Sequence, residues 1–142
     1  MAIYSLYGRH GTGAQPLVMG IKPANPTTVV QCVPGAAAGA LVWSFRDIPG
    51  TQHLFLKHED SGLYAKFAER NGAITLAKLD PYDRLFALLL HDVGDGFVAI
   101  RNHEGALAMG ARNGSQEDGT RILALPFGAL PSLHWLFGPP TS

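Results

Sequence analysis

Three histidines recur at similar intervals in the sequence, and their surroundings suit the recognition of polar ligands. His10, His58 and His103 lie 48 and 45 residues apart, and each enters a polar or glycine-containing turn after an apolar run and a basic residue. A neutral imidazole both donates and accepts hydrogen bonds, and a carboxylate accepts them from hydroxyl groups. The pattern therefore indicates binding of a ligand rich in hydroxyls, such as a sugar, beside an apolar platform.

Seven polar residues are the predicted ligand-binding residues, and they lie in three turns of the second and third parts of the chain. They are His58, Glu59, Asp60, Asn102, His103, Glu104 and Asp118. Asp118 belongs to the polar stretch 113–119, which is long for a hairpin turn. A competing interpretation is that each histidine only caps its hairpin by bonding to the backbone. Zinc binding would require close Cys or His spacing, which the sequence lacks, so no metal ligand is predicted.

Motifs for catalysis are missing from the sequence. It contains no Gly-x-Ser-x-Gly, no phosphate-binding glycine loop with a lysine and no His-Glu-x-x-His. Serine, histidine and aspartate are present, but no spacing marks a catalytic triad. The expectation is a protein without catalytic residues and without a cofactor.

Aromatic segments recur with the same period as the histidines. The segments 41–45, 84–88 and 133–137 contain Trp43, Phe86 and Trp135, which lie 43 and 49 residues apart. A fixed period of this size is typical of one supersecondary unit that is used several times. The sequence thus predicts one domain over residues 1–142 with repeats at about 1–48, 49–93 and 94–142. It also predicts that the three histidines occupy matching positions in these repeats.

Short apolar runs between glycine and proline turns indicate an all-β domain. The predicted strands are 3–9, 17–22, 28–33, 41–46, 53–57, 63–68, 74–79, 85–90, 97–101, 106–111, 121–125 and 133–137. Asn71-Gly72 and Asn113-Gly114 supply the positive φ that tight turns need. The stretch 82–93 contains good helix formers, but the repeat favours a strand there. Residues 34–40 are expected to form a flexible connector.

Composition excludes several classes of function. The formal net charge is zero, so there is no basic excess to attract a phosphate backbone and nucleic-acid binding is disfavoured. The only cysteine is Cys32, so no intrachain disulfide can form. Cys32 is expected to act as a small core hydrophobe, compatible with a reducing compartment. No stretch approaches the ~18 apolar residues of a membrane span, and the N-terminus does not resemble a signal peptide. These features favour a cytoplasmic protein over a secreted one.

Three units of about 47 residues with four strands each, closed by an aromatic residue, resemble the β-trefoil fold. Within that fold the chain is similar to ricin B-like lectins, including small fungal trefoil agglutinins without disulfides. Those lectins carry a Gln two residues before the closing Trp of each repeat. Here the matching positions hold Leu41, Arg84 and Leu133, and Phe86 replaces the middle Trp.

The resemblance implies a non-catalytic, lectin-like protein that binds galactose-type or mannose-type glycans, typically in the cytoplasm. A protein-interaction β-trefoil is the alternative, either as a non-catalytic subunit of a larger enzyme or as a protease inhibitor, because fold alone does not fix function. The aromatic residues at repeat-equivalent positions are expected to pack in the core. Three tyrosines nearer to turns are the better surface candidates: Tyr7, Tyr64 and Tyr82.

Overall fold

Twelve short antiparallel strands form in the computed structural model, which describes residues 2–12, 15–34 and 41–141. The strands are β1 (Ser5–Gly8), β2 (Val18–Lys22), β3 (Asn25–Cys32), β4 (Trp43–Asp47), β5 (Leu54–His58), β6 (Tyr64–Lys66), β7 (Thr75–Ala77), β8 (Leu89–Gly94), β9 (Phe97–Arg101), β10 (Leu107–Ala111), β11 (Ile122–Pro126) and β12 (Trp135–Gly138). Short 3₁₀ turns cover Arg84–Phe86, Arg112–Gly114 and Pro131–Leu133. Each predicted strand overlaps an observed one, and the predicted connector lies almost wholly outside the described residues.

Only the last two residues of the predicted strand 85–90 lie in an observed strand. Its first part is the 3₁₀ turn Arg84–Phe86, and β8 begins at Leu89. The side chain of Asp83 accepts a 3.0 Å hydrogen bond from the backbone N–H of Leu85, which stabilises the start of this turn. The strand predicted at 133–137 is observed only from Trp135 onward, because the 3₁₀ turn Pro131–Leu133 precedes β12.

The strands repeat one pairing scheme three times. Within each unit the first strand pairs with the second and the second with the third: β1 with β2 and β2 with β3, β5 with β6 and β6 with β7, β9 with β10 and β10 with β11. The first strand of each unit also pairs with the fourth strand of the unit before it: β1 with β12, β5 with β4 and β9 with β8. This arrangement confirms the predicted all-β fold of three four-strand units.

The registers define which residues are equivalent in the three units. Each first strand pairs with its second strand at one position: Tyr7 with Val18, Lys57 with Tyr64 and Arg101 with Ala108. Each first strand also meets the closing strand segment of its own unit: Tyr4 with Trp43, Leu54 with Leu88 and Val98 with Trp135. Both sets give the same alignment of the units.

This alignment corrects the phase of the second unit. The equivalent of Trp43 and Trp135 is Leu88 rather than Phe86, and all three side chains are completely buried. Phe86 instead matches Leu41 and Leu133. The residue of the second unit that corresponds to the glutamine of ricin B-like lectins is therefore Phe86 rather than Arg84. The two indoles are held alike, since each Nε1–H donates a 2.9 Å hydrogen bond to the carbonyl oxygen of a methionine, Met19 or Met109.

The predicted equivalence of the three histidines is wrong. The residues equivalent to His58 are Gly8 and Asn102, so His10 and His103 stand two and one positions further along their units. His58 ends strand β5, whereas the other two lie in turns. In the part of the chain that the structure describes, no helix is both long and apolar enough to cross a bilayer.

Candidate functional site

A groove of about 1030 Å³ opens beside the third unit. Most of its lining comes from strands β10 and β11 and from the turns that follow them, while His10 comes from the first unit and Asn71 from the second. The remaining lining residues are Ala111, Arg112, Asn113, Gly114, Leu125, Pro126, Leu130, Pro131, Ser132 and Leu133. The groove is therefore a candidate site built mainly by the third unit and completed by the other two.

The third unit differs from the second unit beside this groove, first of all at Gly110. The equivalent residue in the second unit is Lys66. The Nζ atom of Lys66 lies 3.5 Å from a carboxylate oxygen of Asp83 and 5.6 Å from the ring centroid of Phe86. In the third unit Leu130 stands where the second unit has Asp83, each residue preceding a 3₁₀ turn. The third unit thus lacks the lysine and the aspartate that occupy the corresponding space.

The surface of the groove combines an apolar wall with free polar groups. Leu130 is 65% exposed although it is a large apolar side chain. The polar groups are Asn71, Arg112 and Asn113, and none of their side chains bonds to another residue that the structure describes. Both asparagines have a positive φ, 68° and 54°, which positions their amides at tight turns. Such a surface offers hydrogen bonds and apolar contact to the same ligand.

The hydrogen bonds around His10 determine which of its ring nitrogens donates and which accepts. Its Nε2 lies 2.7 Å from Oε1 of Gln31, while Nε2 of Gln31 donates to the carbonyl oxygens of Ser115 and Glu117. Since Oε1 can only accept, Nε2 of His10 must donate, and in the neutral ring Nδ1 is then an acceptor. This Nδ1 is buried and has no hydrogen-bond partner among the described residues. A buried acceptor in that state is unusual and favours a polar ligand or a water molecule nearby.

The residues predicted around His58 shape their own turn. His58 is completely buried, its Nδ1 lies 2.8 Å from Oγ of Ser61, and its ring packs edge-on against Trp43 at 4.9 Å. The imidazole is therefore inside the protein in this structure, and glycan contact by His58 stays a prediction. Glu59 accepts a 3.1 Å hydrogen bond from Oγ of Ser44, whereas Asp60 is exposed.

The predicted residues of the third unit also have local partners. Oδ1 of Asn102 accepts a 3.2 Å hydrogen bond from the backbone N–H of Leu107. Nε2 of His103 lies 3.4 Å from a carboxylate oxygen of Glu104, which is largely exposed. Among residues 2–12, 15–34 and 41–141, no three His, Cys, Asp or Glu side chains are arranged to hold a metal ion.

Asp118 joins the loop of the third unit to the first unit. One carboxylate oxygen accepts a 2.8 Å hydrogen bond from the Val33 amide, and the other lies 2.8 Å from Nζ of Lys22. Burial opposes ionisation of Asp118, but the hydrogen bonds from Lys22 and Val33 outweigh it and lower its pKa. The pKa of Lys22 is raised, chiefly by its hydrogen bond to Asp118.

None of the seven predicted residues lines the groove. For all seven residues, glycan binding stays a prediction. Sequence reasoning identified Asn71-Gly72 and Asn113-Gly114 as turns but assigned no ligand to Asn71 or Arg112. The useful signal is Gly110 at the position of Lys66, and it becomes visible only once the units are aligned correctly.

Solved structures with the same architecture identify the fold. The designed threefold-symmetric protein ThreeFoil superposes with a TM-score of 0.80 at 17% sequence identity, covering 97% of this chain and 99% of ThreeFoil. The chain has a β-trefoil fold. The ricin B-like lectin of Macrolepiota procera, solved in complex with lactose, has a TM-score of 0.78 at 12% identity and covers 98% and 96% of the two chains.

The same fold also occurs as a part of larger proteins. An exo-β-1,3-galactanase from Clostridium thermocellum matches with a TM-score of 0.82 and 18% identity over 99% of this chain, which spans only 30% of the galactanase chain. At such identities the likeness establishes the β-trefoil alone. The sequence itself matches no protein-family model and no curated protein.

Proposed function

We propose that this β-trefoil binds a carbohydrate in the groove of the third unit and does not hydrolyse it. The observation that carries the proposal is the pairing of an exposed apolar wall at Leu130 and Pro126 with three unengaged polar side chains. A pyranose ring has the same two faces, because its C–H groups form an apolar patch and its hydroxyls surround the edge. The groove volume, about 1030 Å³, is at the upper end of small-molecule sites.

The chemistry of the lining supports binding without catalysis. Glycoside hydrolysis generally uses two carboxyl groups that flank the scissile bond. The lining contains no aspartate and no glutamate. The lactose complex of the Macrolepiota procera lectin supports a saccharide ligand as a property found on this fold. Galactose-type and mannose-type glycans are therefore the first ligands to test.

Asn113→Gly is the decisive substitution. Asn113 has φ 54°, which glycine adopts readily, so the change removes the amide while the turn is retained. One neutral hydrogen bond contributes ~0.5–1.5 kcal/mol, so we expect affinity for a glycan selected on an array to fall about 2- to 12-fold. Titration calorimetry measures the change, and a thermal melt verifies the fold.

Asp60→Ala is the matched control, because Asp60 is exposed and lies in a predicted sugar-binding turn away from the groove. The groove is the site if Asn113→Gly weakens binding and Asp60→Ala does not. The opposite result would transfer the site to the turns that the sequence predicted. Failure of the unmodified protein to retain any glycan would reject the proposed function.

A further inference from the structure

We infer that the saccharide bound in this groove is acidic and places a carboxylate or a sulfate against Arg112. The inference rests on the proposed function and adds the chemical class of the ligand. It depends on the charge of the groove, on the unpaired state of Arg112 and on the contrast between the second and third units.

The charge of the groove is positive and lacks a compensating acid. Arg112 lines the groove, and no aspartate or glutamate does so. Arg112 is exposed, and the five ion pairs between described residues do not include it. A guanidinium is always charged near neutral pH, so an anionic ligand group would meet an unneutralised cation there.

Arg112 also separates the groove from a second hollow. This smaller hollow, about 150 Å³, is lined by Arg112, Thr120, Arg121 and Leu123. Arg121 is exposed and is likewise missing from the ion pairs between described residues. A ligand that extends from one hollow to the other passes Arg112 and approaches a second guanidinium, which favours a chain with more than one acidic group.

The second unit has a cation two positions earlier than Arg112, at Lys66, and a carboxylate neutralises it. There the Nζ atom of Lys66 lies 3.5 Å from a carboxylate oxygen of Asp83. The third unit has Gly110 in place of Lys66 and Leu130 in place of Asp83. Its own cation, Arg112, stands where the second unit has Ala68, and none of the ion pairs between described residues includes it. The charge needed to balance Arg112 must therefore come from solvent ions or from a ligand.

The hydrogen-bond donors of the groove, like its charge, favour an anionic ligand. Planar guanidinium groups match the oxygens of carboxylates and sulfates with two parallel hydrogen bonds. The side-chain amides of Asn71 and Asn113 each provide an N–H₂ donor beside the groove. Donors thus outnumber strong acceptors in the lining, which suits the acceptor-rich groups of an acidic saccharide better than a neutral set of hydroxyls.

The experiment compares three probes on the unmodified protein and on two variants. The probes are lactose, a sialic acid-terminated lactose and a sulfated lactose, and inorganic sulfate serves as a competitor. Arg112→Gln removes the charge at the groove. Arg46→Gln is the matched control, because Arg46 is an exposed arginine on β4 that lines neither hollow.

We expect the unmodified protein to prefer one or both acidic probes over lactose. Arg112→Gln should weaken the acidic probes by about 10-fold or more, as for a charge-assisted hydrogen bond, and should leave lactose unchanged. Added salt should weaken the acidic probes for the unmodified protein and for Arg46→Gln, but much less for Arg112→Gln. Whichever acidic probe prevails distinguishes carboxylate from sulfate.

Two results would overturn the inference. Equal affinity for lactose and the acidic probes, with no effect of Arg112→Gln, would show a neutral saccharide site and would leave the proposed function intact. Inorganic sulfate that binds as tightly as the sulfated sugar would show an anion site without saccharide recognition. If all the sugars and array glycans fail to bind, the proposed function itself falls.

Discussion

Replacing Gly110 by alanine tests the packing that forms the base of the groove. A Cβ atom at this position would overlap Cδ2 of Leu133 and lie 2.8 Å from the carbonyl oxygen of Ser132. Leu133 is only 1% exposed, so its side chain has little room to move away. The oxygen of Ser132 belongs to the backbone of a 3₁₀ turn, so relief of that contact requires a shift of the main chain.

The expected cost follows from two opposing effects. Overpacking of a dense core costs ~1–3 kcal/mol. The loss of glycine freedom in the unfolded chain stabilises an alanine variant by ~0.4–1 kcal/mol. We therefore expect Gly110→Ala to lower the free energy of unfolding by about 1–2 kcal/mol, and the melting temperature by about 3–8 °C. Urea unfolding followed by tryptophan fluorescence measures the free energy.

Gly128 provides a matched control in the same unit. A Cβ atom there would have no neighbour within 4 Å, and its φ lies outside the left-handed region. Gly128→Ala should therefore be neutral or slightly stabilising. Adding Leu133→Ala should make Gly110→Ala less costly, because one of the two clashing groups is gone. The reasoning is refuted if Gly110→Ala and Gly128→Ala differ by less than about 0.5 kcal/mol.

Two further predictions concern titratable groups. The pKa of Asp118 is lowered in the folded protein, so the ionised carboxylate contributes to the free energy of unfolding. This contribution is fully present above the ordinary aspartate pKa of ~3.9 and is lost as the pH falls through the lower pKa of the folded protein. Asp118→Asn should cost about 1 kcal/mol at pH 7, and urea unfolding should show this difference disappear in acid; a pH-independent difference would contradict the ion pair. Burial raises the pKa of the Cys32 thiol to about 11, so iodoacetamide should alkylate it at pH 8 only as fast as the protein unfolds. Rapid labelling of the folded protein, read by mass spectrometry, would show that Cys32 is accessible.

The strands could be predicted from the sequence because alternation and turn residues act locally. β9 was predicted with its observed bounds, Phe97–Arg101, since Asp95-Gly96 fixes the turn before it and Asn102 begins the next. Most other strands differ by one to three residues at an end. The three-unit pattern was also visible, because each unit must bury apolar strands in the same order.

The phase of the second unit could not be predicted in the same way. Phe86 looked equivalent to the tryptophans because it is aromatic, yet Leu88 occupies their place in the fold. Phe86 ends a 3₁₀ turn that matches Pro131–Leu133 of the third unit, so its counterpart there is Leu133 rather than Trp135. The capping residue of this turn, Asp83, is also the partner of Lys66. The groove could not be predicted either, since its lining comes from all three units and consists largely of apolar residues that form no motif.

Two of the three recurring histidines, His10 and His58, are explained by the packing around two tryptophans. His58 packs against Trp43, the residue opposite it in the sheet. The residue opposite Trp135 is Gly8, and a Cβ atom there would lie 2.7 Å from Cε1 of His10.

Gly8 therefore leaves room for the imidazole of His10, which reaches Trp135 from two residues further along at a ring distance of 6.1 Å. The pair Leu88 and Asn102 replaces tryptophan and histidine in the remaining interface, where Asn102 bonds to the backbone N–H of Leu107. Two interfaces thus keep an imidazole beside an indole although the residue that supplies the imidazole changes. A recurring sequence pattern can accordingly reflect a packing requirement. The candidate ligand site lies where one unit departs from the pattern of the others.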